Sequence, residues 1–176
     1  MKTVVAFTVG ALVLAAFGSA CRTSAGVASD SDPDPETRAA PTTKVDSVNK
    51  LRFEPAPPGD VATIVKAEVA RAQADGRRLV VYEGASWCEP CQHFHAAVAK
   101  GELDAAFPHL TLLEFDADRD GQRLVAAGYG SQYIPLFALP GKDGRAAGPK
   151  ASGGSKGDNV VTLLTKKLEN LLSQGS

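Results

Sequence analysis

The chain predicts a layered α/β domain, a sheet with helices on both faces. Between Asp60 and Leu172, segments with helical spacing of apolar residues alternate with short, mostly apolar runs, and Gly, Pro and Asp punctuate the joints. Composition allows one such domain plus extensions, because 176 residues at 44% hydrophobic and 22% charged is an ordinary globular balance. The formal net charge of -1 carries no footprint for nucleic acid or for an acidic substrate.

The first helix is signalled by Asp60 as N-cap, by Val61, Ile64, Val65, Val69 and Ala72 on one face, and by Gly76 as its stop. Leu79 to Tyr82 reads as a buried strand. After Gly84-Ala85-Ser86-Trp87-Cys88-Glu89-Pro90-Cys91 comes a helical stretch with Phe94, Ala97 and Val98 on one side. Leu110 to Phe115 is a second core strand, and Gln122 to Ala127 fits a short helix ended by Gly128. Ile134 to Leu139 is a third strand entered through Pro135, followed by turn residues Lys142-Asp143-Gly144. Arg145 to Gly157 is rich in Gly and Lys, so only a weak strand is expected there. Asp158 is placed to cap a last helix with Val161, Leu164, Leu168, Leu171 and Leu172 on its apolar face.

Ahead of this domain, Lys2 precedes a mostly apolar run of about fourteen residues, Val4 to Phe17, and the small residues Gly18, Ser19 and Ala20 lead to Cys21. The run falls short of the roughly 20 residues of a membrane-crossing helix, so residues 1–20 read as a cleaved export signal. Cys21 leaves an odd count of three cysteines. Its position resembles a bacterial lipoprotein signal, which implies acylation of Cys21 and a lipid anchor; simple cleavage after Ala20 is the alternative and leaves a soluble periplasmic or secreted protein. Residues 21–58 are rich in Ser, Thr, Asp, Ala and Pro and read as a flexible tether, with an r.m.s. span of roughly 30 Å. Leu51 to Glu54 within it fits either an edge strand or a docking segment. The globular domain is placed at residues 59–176.

Cys88 and Cys91 form a C-x-x-C pair at a strand-to-helix junction. There the unpaired N–H groups and the positive end of the helix dipole favour thiolate at Cys88. An exposed Cys88 thiolate would attack a disulfide, and Cys91, about one turn along, would resolve the mixed disulfide. Pro90 suits the first turn, since its missing N–H has no intrahelical partner there.

The stretch Ala85-Ser86-Trp87-Cys88-Glu89-Pro90-Cys91 resembles the active site of the thioredoxin superfamily, and Ile134-Pro135 resembles that family's cis-proline loop. The resemblance spans about Asp60 to Leu172. It implies a thioredoxin fold, with a central mixed sheet flanked by helices on both faces. It also implies a thiol-disulfide oxidoreductase in which Trp87 lines the rim, Ile134 offers backbone hydrogen bonds to a bound peptide, and Pro135 is cis. Tyr82, Glu114 and Glu89 depart from the family pattern, Glu89 replacing the usual glycine between cysteine and proline. Tyr82 stands where thioredoxins usually bury an Asp that moves the resolving thiol's proton. Glu83 is next to it but should face the other side of the strand. Glu114 occupies the place of the family's lysine partner; it is either a proton-transfer group partly buried beneath the pair or a surface carboxylate. Glu89 should oppose thiolate formation modestly, so the pair should lean reducing.

A structural disulfide is the less favoured reading of the pair, because so short a loop constrains the unfolded chain little. A Cys/His metal site is also disfavoured: His93 and His95 lie two apart on a helix, His109 is remote, and no second C-x-x-C exists. A redox-inactive binding or chaperone module on the same scaffold stays open, since fold does not give function. The expected partners are disulfide-containing exported proteins and a membrane protein that relays electrons outward. The expected setting is the periplasmic face of a bacterial membrane. No cofactor, no metal, no nucleic acid and a monomeric state are expected.

Overall fold

The computed structural model describes residues 49–175. The export signal, Cys21 and most of the expected tether lie outside the described residues. The elements run β1 (Arg52–Pro55), α1 (Val61–Ala74), β2 (Arg78–Gly84), α2 (Glu89–Ala99), β3 (Leu110–Asp116), α3 (Ala117–Ala126), β4 (Leu136–Pro140), β5 (Ala146–Ser152) and α4 (Val160–Gln174). The sheet order is β1-β3-β2-β4-β5. β1, β3 and β2 are parallel, and β4 and β5 continue antiparallel, so the sheet is mixed as expected.

Side chains alternate across β2 and divide the core in two. Val80 and Tyr82 join Leu112, Phe137, Phe94 of α2 and Leu164, Leu168 and Leu171 of α4 on one face. Leu79 and Val81 join Leu113, Phe115, Leu136, Val61 and Val65 of α1 and Leu124 of α3 on the other. Helices therefore cover both faces.

Two open sequence expectations are decided, at the two edges of the sheet, and two are corrected, at the start of α3 and the cap of α4. Of the two readings of Leu51 to Glu54, the edge strand holds: β1 pairs with β3 in the register Phe53↔Leu112, and Leu51 is buried, so the sheet begins before residue 59. Arg77 secures that edge from a buried position, its Nε donating to Thr111 Oγ1 at 2.8 Å and its guanidinium to the carbonyl of Lys50 at 2.6 Å. The short helix expected at Gln122 starts five residues earlier, at Ala117, where Asp116 caps it by accepting from the N–H groups of Asp118 and Arg119. The weak strand expected after Arg145 is a seven-residue edge strand with an irregular step opposite Ala138 and Pro140. The last helix is preceded by Asn159, with no side-chain cap bond, rather than capped by Asp158.

Candidate active site

β2 delivers the chain to the site and α2 leaves from it. Cys88 is the N-cap of α2, with extended backbone (φ -81°, ψ 104°), and its Sγ accepts the Cys91 N–H at 3.3 Å. The two cysteines are joined by a disulfide, with Cα atoms 5.2 Å apart. Cys88 is 5% exposed and Cys91 2%. Cys88 is thus less open than the sequence expectation, because Ala85, Ala117 and Ile134 close around the pair. Pro135 is buried, and the Ile134–Pro135 bond is cis. Trp87 is 64% exposed, and its Nε1 donates to Asp118 Oδ2 at 2.8 Å, which fixes the indole across the rim.

A parallel β1-β3-β2 unit extended by antiparallel β4 and β5, with C-x-x-C opening the helix after β2 and a cis-proline entering β4 beside it, is the arrangement that the sequence resemblance implied. The chain has the thioredoxin fold. Solved structures similar to it include thioredoxin O1 from Arabidopsis thaliana, at 21% identity over 69% of this chain and 97% of that one, with a TM-score of 0.42. Thioredoxin from Fasciola hepatica is 21% identical over 64% and 95%, with a TM-score of 0.43. Thioredoxin f from spinach chloroplast is 16% identical over 76% and 93%, with a TM-score of 0.45. No protein-family model and no curated protein matches the chain.

On this thioredoxin fold the residues beneath the pair depart from the pattern that the sequence resemblance implied. Tyr82, in the place of the family's acid, is fully buried among Phe53, Phe94 and Phe137, and its hydroxyl has no partner among the described residues. Burial, and then the charge of Glu114, pushes its phenol far up, so Tyr82 stays neutral. Gly84 makes room for it: a Cβ there would stand 2.8 Å from the Tyr82 hydroxyl. Glu114 faces Tyr82 across the strands and is half-exposed. It lines the same cleft as Cys91, with Oε1 2.8 Å from His95 Nε2.

His95 was read from sequence as an ordinary surface residue of the helix. The structure stacks its ring on Phe53, with centroids 3.8 Å apart and planes 7° apart, and sets it edge-on to Tyr82 at 5.6 Å. A cleft of about 410 Å³ is lined by Cys91, His95, Glu114, Asp116 and Arg119 among others, so Cys91 and the His95–Glu114 pair share one space. The signal was present in the spacing: His95 is four residues after Cys91 and therefore on the same side of α2.

Glu89 is flanked by Lys156 Nζ at 3.8 Å, which offsets part of the charge it brings beside Cys88, and by His93 Nε2 at 4.0 Å. Glu83 faces the α1/α3 side, as expected, in register with Phe115 and Leu136. Among the described residues no group of three or more His, Cys, Asp or Glu side chains is placed to hold a metal ion. Among them, too, no helix is long and apolar enough to cross a membrane.

Proposed function

We propose that the chain is an extracytoplasmic thiol-disulfide oxidoreductase that reduces or isomerises disulfides of exported proteins. The observation that carries this reading is the Cys88–Cys91 disulfide at the start of α2, with Cys88 Sγ receiving a helix N–H and the cis Pro135 beside it. A thiolate at that position is stabilised by the same N–H and by the helix dipole.

In the reducing direction, Cys88 Sγ attacks one sulfur of the client disulfide. A mixed disulfide forms and the other client sulfur leaves as thiolate. Cys91, deprotonated, then attacks Cys88 Sγ; the second client sulfur leaves, and two electrons have passed from the pair to the client. The Cys91 proton needs an acceptor. His95, backed by Glu114, shares the Cys91 cleft and takes that part, in place of a buried acid on β2. Residues 1–20 act as the export signal, and Cys21 carries a lipid that holds the protein on the periplasmic face of a bacterial membrane. A membrane electron-relay protein returns the pair to the dithiol.

A Cys91→Ala variant tests the reading. It should accumulate mixed disulfides through Cys88 with exported proteins, visible by mass spectrometry and absent from a Cys88→Ala control. A variant that captures no more than the control refutes it. A reduction potential among those of strong oxidants would overturn the reducing direction.

A further inference from the structure

Glu83 is buried, at 5% exposure, yet its Oε2 has no hydrogen-bond partner among the described residues. The nearby charges do not answer it. Asp120 is a like charge already held by Arg119 and Arg123 at 2.9 and 3.0 Å. Lys150 directs its Nζ to the carbonyls of Gly128 and Gly130, at 3.2 and 2.8 Å. Burial, and then Asp120, raises the Glu83 carboxyl above its ordinary range, with Lys150 opposing. An orphaned acid of this kind is costly, and it is tolerated where a ligand supplies the missing donor.

The space beside Glu83 has the matching shape. A cavity of about 290 Å³ is lined by Glu83, Gly121 and Ser131 and walled by Trp87, Val125 and Ile134. Gly121 brings no side chain: a Cβ there would come within 4.0 Å of Glu83 Oε1. Trp87 and Val125 are exposed at 64% and 65%, which leaves an apolar rim over an acidic floor. Trp87 precedes Cys88 in the chain, and Ile134 packs against the disulfide, so whatever fills the cavity lies alongside the reacting sulfurs.

We propose that this cavity is a recognition pocket for a basic side chain of the client, a lysine or arginine one or two residues from the cysteine being exchanged. The methylene stem lies against Trp87, Val125 and Ile134, and the cationic head donates to Glu83. An acidic side chain would meet Glu83 and Asp120. An apolar one would seal the orphaned oxygen without a partner. The proposal rests on the redox reading for its client but not for its binding chemistry.

The test uses disulfide peptides carrying Lys, Arg, norleucine or Glu at each position flanking the cysteine, with the full chain as reductant. At one position Lys and Arg should react about ten-fold faster than norleucine, and Glu should be slowest. Glu83→Gln should bring the Lys-to-norleucine ratio close to one. Equal rates for Lys and norleucine with the native chain overturn the proposal, as does a Glu83→Gln variant that slows all peptides while keeping the ratio. A cysteine-free copy of the best Lys peptide separates the two readings, since Trp87 is the chain's one tryptophan and its fluorescence reports filling of the pocket. Saturable, salt-sensitive quenching without any exchange activity keeps the pocket and refutes the redox reading. Exchange activity without quenching by any Lys or Arg peptide refutes the pocket.

Discussion

Replacing Glu83 with Gln should stabilise the domain at neutral pH and leave its stability unchanged near pH 4. The folded state raises the Glu83 carboxyl by burial and by the neighbouring Asp120, so it holds its proton to higher pH than the unfolded chain does. As pH rises past the ordinary carboxylate value, the unfolded chain ionises first, and the balance tips against folding until the folded carboxyl has ionised too. The penalty is therefore absent below the unfolded value and complete above the folded one. Its size follows from one buried charged group with an unpartnered oxygen, about 1–3 kcal/mol. Glutamine keeps the shape and removes the charge but leaves a polar group in place, so a gain of about 1 kcal/mol is expected, a rise in Tm of roughly 4 °C for a domain of this size. Urea unfolding of both proteins at pH 4, 6 and 8 measures it. A difference that does not grow with pH, or a variant less stable at pH 8, would refute the reasoning and mean that Glu83 has a cationic partner.

Asp120→Ala should cost about 1–3 kcal/mol in urea unfolding, because it removes the carboxylate shared by Arg119 and Arg123 and frees the Asp116 N–H, while Arg123 keeps the carbonyls of Pro57 and Gly59. Burial alone would raise this carboxyl, but hydrogen bonds from Arg119, the Asp116 N–H and Arg123 outweigh it and lower it. Its contribution is thus present above the unfolded value and fades as pH falls through the folded one, so the two proteins should converge in acid. Tyr82→Phe should be neutral or stabilising, within about 1 kcal/mol, since the hydroxyl it removes is buried without a partner; a loss of 2 kcal/mol or more would reveal one. His95→Gln should slow release of a preformed Cys88 mixed disulfide by about 100-fold near neutral pH and alter the pH profile of that step, as read by stopped flow. The groups that shape this profile alongside His95 are Glu114, Asp116, Arg119 and Cys91 in the cleft and Tyr82 at its edge, whereas Arg52 and Glu54 of β1 are paired to each other. An unchanged rate and profile would remove His95 from the mechanism.

The central elements were legible because their periodicity and their burial agree. Leu79 to Tyr82 is apolar on both faces and Leu110 to Phe115 mostly so, with Thr111 and Glu114 the exceptions, and helices cover both faces. The misses share a cause: tertiary pairing decided what local composition could not. Arg52 to Pro55 carries one inward apolar residue, Phe53, and becomes a strand because β3 offers its open edge. The start of α3 was hidden because Ala117 to Gly121 carries three charged side chains and no apolar stripe, whereas in the fold Asp116 caps the helix and Asp120 is buried between two arginines. At the site, Cys88, Cys91, Trp87 and Pro135 were legible as a motif, and the side of β2 that Glu83 takes followed from strand alternation. That Glu83 would be sealed without a partner depends on Asp120 and Gly121 in a helix whose start was misplaced. His95 was judged against His93, two residues away, when its meaningful neighbour was Cys91, four away.

Alkylation of the fully reduced chain at neutral pH, with each thiol followed by mass spectrometry, bears most directly on the claim that a helix terminus activates Cys88. Cys88 is expected to react several-fold faster than a cysteine in an unstructured peptide, and Cys91 more slowly than Cys88. If neither exceeds the unstructured thiol, the pair is a structural staple and the redox assignment is wrong.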